Sequence, residues 1–287
     1  MPATTANMGS GFDALGMALA LYNRFRVSLF DQDTVACAPG QDVPTPEDHL
    51  TLKVMRGICR RLGQAPAGIA LWQDCAIPQA RGLGSSAACV VAGVMAAFAL
   101  CGRPLSLSDA VDEATQWEGH PDNVAPAIWG GITVCAMDAG QVHCLHIDAP
   151  KALWTVALVP PYPLSTAKAR AVLPTEIPLG DGVYNTGRSA LLVGALTTGR
   201  LELLPVAMQD CLHQPYRKHM IPEWDAVTAA ALEAGALAVT LSGAGPTLLA
   251  YGAHTDTLDA FRANMRVPDG WHMWPLAAAQ GATIVRY

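Results

Sequence analysis

The densest chemistry in the chain lies in the run Pro78-Gln-Ala-Arg-Gly-Leu-Gly-Ser-Ser-Ala-Ala88. Glycine tolerates the sharp bends that bring main chain against a ligand. Gly82, Leu83, Gly84 and Ser85 lead into an apolar stretch that reads as a helix, and the first helical N–H groups have no partner within the helix. With the helix dipole they favour a phosphate group. The Ser86 hydroxyl can serve a metal ion or a phosphate oxygen, while small Ala87 and Ala88 leave room for backbone donors. No Gly-Lys-Ser/Thr follows, so this is not the Walker pattern. Taken alone, the run is equally a glycine-rich turn with an ordinary helix cap.

Two further segments concentrate polar or turn-forming residues. In Glu118-Gly-His-Pro-Asp-Asn-Val-Ala-Pro126, Glu118 closes a helix, where its charge opposes the dipole and a nearby cation would relieve the conflict. Mg²⁺ is commonly held by one or two protein oxygens together with nucleotide phosphates. A solvated surface Glu is the plain alternative. His120, Asp122 and Asn123 then read as a polar loop, which Pro121 and Pro126 make rigid. The third segment, Leu241-Ser-Gly-Ala-Gly-Pro-Thr247, reads either as a tight turn between strands or as a close backbone approach to a ligand. The histidines at 143 and 146 flank Cys144, but no paired Cys spacing or H-E-x-x-H makes a zinc site.

The elements that must hold these segments alternate between strand and helix. Alternation marks a strand over 25–29, and apolar spacing marks a helix over 50–62 stopped by Gly63. A strand follows at 69–72. The stretch from Gly82 to Gly102 carries no charge, but its continuous apolar part, 87–101, is shorter than the ~20 residues of a membrane span. It reads as a buried helix. Ser106 and Asp109 resemble a capping box opening a helix whose inner face is Leu107, Ala110, Val111, Ala114 and Trp117 and which Gly119 ends. Strands are expected at 131–137, 154–159, 238–241 and 247–250, with helices at 187–198 and 223–233. The class is α+β. At 287 residues, and with about 150 residues per domain, two domains are expected, 1–150 and 151–287.

Hydrophobic residues make up 51% and charged residues 15%, which excludes a disordered chain. The net charge of -6 and the lack of any Lys/Arg run exclude a nucleic-acid partner. The eight cysteines form no C-x-x-C pair, and Cys89, Cys101 and Cys135 sit in apolar runs. They read as reduced thiols of a cytoplasmic protein. The N-terminus lacks the basic-then-apolar pattern of a signal peptide.

Together the segments resemble the homoserine kinase family of the GHMP small-molecule kinase superfamily over nearly the whole chain. The likeness begins with Pro2-Ala-Thr-Thr-Ala-Asn-Met-Gly-Ser-Gly-Phe-Asp13 and includes Ser165-Thr-Ala-Lys-Ala-Arg170 and Arg217-Lys-His-Met-Ile-Pro222. It implies the two-domain GHMP kinase fold, with a ribosomal S5 domain 2-like N-terminal domain and a ferredoxin-like C-terminal domain. It also implies ATP and Mg²⁺, with ATP phosphates on Pro78, Arg81 and Gly82 to Ala88, and Mg²⁺ at Ser86 and Glu118. L-Homoserine would meet Asn7, Asp13, His120, Asp122, Asn123, Thr166, Arg170 and Arg217. The two arginines suit its carboxylate, Asp13 its ammonium, and Asn7 and Asn123 the alignment of its hydroxyl. A homodimer is the default assembly. A kinase of another small alcohol and an inactive metabolite sensor remain the competing expectations. Family members usually carry a short strand before the Pro-Ala-Thr motif, which here starts at residue 2. A strand missing there is expected to expose a sheet edge.

Overall fold

The computed structural model describes residues 1–286. The chain opens with strands β1 (Pro2–Ala6), β2 (Leu15–Phe30) and β3 (Thr34–Cys37), helix α1 (Leu50–Arg61) and strand β4 (Gly68–Cys75). Helices α2 (Ser85–Leu100), α3 (Leu107–Glu118) and α4 (Pro121–Trp129) follow, then the hairpin β5 (Ile132–Asp138) and β6 (Gln141–Ile147). A second set of elements starts with β7 (Leu153–Val159), α5 (Thr166–Ala171), α6 (Leu179–Thr198), α7 (Leu204–Ala207), α8 (Gln214–Arg217) and α9 (Trp224–Glu233). It closes with β8 (Ala238–Leu241), β9 (Leu248–Ala253), α10 (Thr257–Asn264) and β10 (His272–Pro275).

The first sheet runs β3-β4-β2-β5-β6, with β1 antiparallel to β2 outside that path. The second runs β10-β7-β9-β8, every pairing antiparallel. Numbered along its own chain, that order is 4-1-3-2, the ferredoxin-like arrangement. The tail after β10 returns to the first sheet: Ala279 N donates to Ala18 O and Gly131 N to Ala279 O. The start of the chain is covered as well. Every residue of β1 is buried. Thr4 N donates to Leu83 O, and Gly243 N to Ala6 O.

Local sequence explains most helix limits. In α2, which is apolar all round, nine residues from Ala87 to Ala97 are buried, as a helix without a polar face must be. Among the described residues, no helix is long and apolar enough to cross a membrane. Ser106 Oγ accepts from Asp109 N, and the left-handed Gly119 ends α3 as expected. The inner face of α3 is narrower than its spacing suggests. Ala110, Val111 and Ala114 are buried, whereas Leu107 and Trp117 are 44% and 41% exposed. Leu107 opens the helix, and the edge of the Trp117 ring rests on Gly57 while its N–H donates to Glu113.

The polar run after Glu118 is not the expected rigid loop. It is α4, with Pro121 at a position that needs no N–H donor and Pro126 inside the helix. All eight cysteines are free. Cys101 and Cys135 are buried, while Cys89 is half-buried.

Candidate active site

Four pieces of backbone converge between the two sheets. The turn after β1, the glycine loop before α2, the α3–α4 junction, and the 241–247 turn with α5 and α8 line one cleft. Asn7, Asp13, Arg81, Gly82, Gly84, Ser85, Ser86, Glu118, His120, Asp122, Asn123, Thr166, Arg170 and Arg217 all face it. Pro78, Leu83, Ala87 and Ala88 do not line it. The side chains of Leu83, Ala87 and Ala88 are packed in the core, so only their backbone can serve a ligand. Ala80, Gly243 and Ala244 line the cleft too.

At one end lies the N-terminus of α2. Gly84 is its left-handed cap residue, and no side chain caps the end. The first helical hydrogen bond runs from Ala88 N to Gly84 O, which leaves the N–H groups of Ser85, Ser86 and Ala87 without intrahelical acceptors. Both glycines are required for close approach. A Cβ on Gly82 would lie 2.2 Å from Ser242 O, and one on Gly84 2.0 Å from Thr4 Oγ1. Ser242 Oγ also donates to Gly82 O at 2.6 Å, tying the turn after β8 to the glycine loop. Arg81 lines the cleft, but its guanidinium donates to the carbonyls of Gln79, Pro160 and Pro161.

Beside the helix terminus, Ser86 Oγ and Glu118 Oε2 are 3.0 Å apart. Burial raises the Glu118 carboxyl above its ordinary pKa, against the opposing pull of the Ser86 hydrogen bond and His120.

At the other end, Asp122 is 2% exposed and accepts from His120 Nδ1 at 2.6 Å. That bond raises the His120 pKa. Ligand atoms of Asp13, His120 and Asp122 all fall within 4.8 Å of one another. Arg170 reaches both Asp13 oxygens, at 2.9 and 3.0 Å, in a fork. Asn7 and Asp13 are non-glycine residues in the left-handed region, with φ of 70° and 55°. The Asn7 amide is engaged at both ends, donating to Gly243 O and accepting from Asp13 N.

Arg217 is the most telling side chain. It is 2% exposed, and donates to Ala169 O and Gly243 O. Among the described residues no carboxylate lies within ion-pair distance of it. Its guanidinium lies 5.2 Å from the Phe12 ring centre, and that of Arg170 5.7 Å from the same ring. Phe12 in turn stacks on buried His213. Sequence reasoning missed Phe12, which sits inside the first motif but offers no polar group, and His213, whose only signal is its spacing of four from Arg217.

The GHMP kinases N terminal domain matches residues 49–131, and the GHMP kinases C terminal domain matches 192–267. With the two-sheet fold and its cleft, these matches define a GHMP kinase. A homoserine kinase of Moorella thermoacetica is 44% identical over 253 residues, covering 88% of this chain and 86% of that protein. One from Caldicellulosiruptor saccharolyticus is 39% identical over 269 residues, covering 93% and 87%. The crystal structure of homoserine kinase from Cytophaga hutchinsonii superposes with a TM-score of 0.86 at 29% identity, covering 98% of this chain and 94% of that one. The chain belongs to the homoserine kinase family. Membership implies ATP as a substrate and an alcohol group as phosphoryl acceptor.

Proposed function

We propose that this protein transfers the γ-phosphoryl group of ATP to the side-chain hydroxyl of L-homoserine, giving O-phospho-L-homoserine and ADP, a step of threonine biosynthesis. The observation that carries the reading is Arg217. A buried cation without a carboxylate partner is costly, and an anionic ligand that enters the cleft offsets that cost. The homoserine carboxylate suits it, and Arg170, whose guanidinium lies near the same Phe12 ring, makes the second half of the clamp. Asp13 and Asp122 offer the matching negative charge for the ammonium.

The phosphate end fits the same reading. N–H groups at the start of α2 and the bends at Gly82 and Gly84 cradle the anionic tail of ATP. Mg²⁺ fits the Ser86–Glu118 pair, two converging oxygens of which one is a carboxylate whose burial a divalent cation would relieve. When bound, the ion neutralises charge developing on the phosphoryl oxygens. Asn123 orients the acceptor hydroxyl. Asn7, with both amide ends on backbone, holds the Asp13 turn against Gly243, and Thr166 closes the acceptor side.

Positioning and charge neutralisation dominate phosphoryl transfer, so no strong base is assigned. The free cysteines suit a cytoplasmic enzyme. A homodimer is proposed as its assembly and is checked by sedimentation.

The test is ADP release from purified protein with ATP, Mg²⁺ and a panel of alcohols. Homoserine-dependent ADP is expected. Turnover with mevalonate but not homoserine, or with no alcohol at all, overturns the proposal.

A further inference from the structure

We infer that Thr4 is a positioning residue for phosphoryl transfer, fixing the side-chain amide of Asn123 through a hydrogen bond and bracing it against the nucleotide loop. The inference rests on the proposed role of Asn123 in aligning the acceptor hydroxyl.

Thr4 sits on β1, wholly buried, and outside the lining of the cleft. Its Oγ1 donates to Asn123 Oδ1 at 2.7 Å, across 119 residues of sequence. This direction of donation is set by the neighbours. Asn123 Nδ2 faces Asp122 Oδ1 at 3.4 Å, and that oxygen also faces His120 Nδ1 at 2.6 Å. A flipped amide would put Asn123 Oδ1 against the Asp122 carboxylate and leave Thr4 facing an NH₂ group. The hydroxyl proton of Thr4 therefore goes to Asn123 Oδ1, and the NH₂ end of the amide is left for Asp122 and the cleft.

The other contacts of Thr4 fix its own position. Its backbone pairs with Ala18 on β2, and its N–H donates to Leu83 O in the glycine loop. The hydroxyl lies so close to Gly84 that a Cβ there would come within 2.0 Å of it. One buried hydroxyl thus spans the cap of α2, where the phosphates are proposed to sit, and the Asn123 amide, where the acceptor is proposed to sit. A change in one is passed to the other through a rigid strand rather than a mobile loop. The distance between donor and acceptor groups is what an in-line transfer needs held constant.

The test is steady-state kinetics on Thr4→Val, which keeps the shape and removes the donor, with Thr4→Ala as a second variant, Thr4→Ser as the conservative rescue, and Asn123→Ala alone and combined with Thr4→Val. Thr4→Val is expected to lower kcat by about 10-fold, the worth of one hydrogen bond. KM for homoserine and for MgATP should stay within about twofold, since neither ligand touches Thr4. Thr4→Ser should recover most of kcat. In the Asn123→Ala background Thr4→Val should cost little more, because the partner is already gone.

Wild-type kcat in both Thr4→Val and Thr4→Ala, with Asn123→Ala impaired, overturns the inference and leaves the Asn123 reading standing. So does an undiminished loss from Thr4→Val in the Asn123→Ala background, or a loss confined to thermal stability. Full turnover by Asn123→Ala overturns the Asn123 reading itself.

Discussion

Ser86 Oγ and Glu118 Oε2 meet at 3.0 Å, joining the first turn of α2 to the last residue of α3. Glu118 ends its helix where the dipole is negative, and burial raises its carboxyl pKa above 4.5. Both effects disfavour the charge, and both are removed by a divalent cation. The pair is therefore a poor place for a carboxylate on its own and a good one for a carboxylate holding Mg²⁺.

A pH dependence with a defined sign follows. A carboxyl with a raised folded-state pKa costs stability as pH rises from 4.5 through that raised value, because the folded state holds its proton longer than the unfolded chain. Glu118→Gln, which never ionises, should melt higher than wild type at neutral pH, and the advantage should vanish below pH 4.5. Binding runs the other way. Mg²⁺ must displace the proton, so wild-type affinity for MgADP should fall as pH drops through the raised pKa. Dividing by the affinity of Glu118→Gln at each pH cancels the nucleotide's own titration. A ratio flat from pH 4.5 to neutrality would remove Glu118 from the metal site. Calorimetric titration and thermal melts read both effects.

Arg217 gives a prediction about the acceptor. Hydrogen bonds to charged groups are worth about 1.5–3 kcal/mol, so Arg217→Met should raise KM for homoserine by roughly 10- to 100-fold. Turnover of 3-aminopropan-1-ol, homoserine without its carboxylate, should hardly change. An equal loss on both acceptors would show that Arg217 supports the fold rather than the carboxylate.

Much of this cleft was legible because its signals are local. The glycine loop, the Ser106 cap and the Gly119 stop depend on residues within one or two turns of each other, and each formed where the spacing placed it. What escaped depends on residues far apart in sequence. Thr4 meets Asn123 across 119 positions, and the tail after β10 pairs with Ala18. Phe12 gains its role only when Arg170 and Arg217 close on it. The segment after Glu118 was misread for a different reason. Two prolines suggested a loop, yet Pro121 stands at a helix start, where no N–H is missed. Arg81 looks like a phosphate ligand by position, and only the fold shows its three bonds to carbonyls.

The glycine loop makes a prediction that separates strain from chemistry. Gly84 has φ of 69°, and a Cβ there would collide with Thr4 Oγ1. Gly84→Ala should lose about 1–2 kcal/mol from the left-handed backbone alone, with the collision adding to it. Urea denaturation measures the loss. Nucleotide affinity should fall further than stability accounts for, because the displaced loop carries the N–H groups proposed to hold the phosphates. A variant that melts lower but binds ADP as tightly as wild type would show that the bend is structural only.

The Asp13–Arg170 fork bears on how the substrate enters. The two side chains are 34% and 45% exposed, so their pairing contributes only about 0–1 kcal/mol. Homoserine carries the complementary pair of charges, an ammonium for Asp13 and a carboxylate for Arg170. On the proposed reading, binding exchanges one ion pair for two without leaving either side chain unpaired. Asp13→Asn removes the anion and frees Arg170 at the same time. It should raise KM for homoserine by roughly 10-fold, the worth of one charged hydrogen bond. For 4-hydroxy-2-oxobutanoate, which has the carboxylate but no ammonium, KM should stay level or fall, because Arg170 no longer has to leave Asp13. Opposite movement of the two KM values is the signature of exchange. A parallel rise in both would place Asp13 in the scaffold of the turn after β1 rather than at the ammonium.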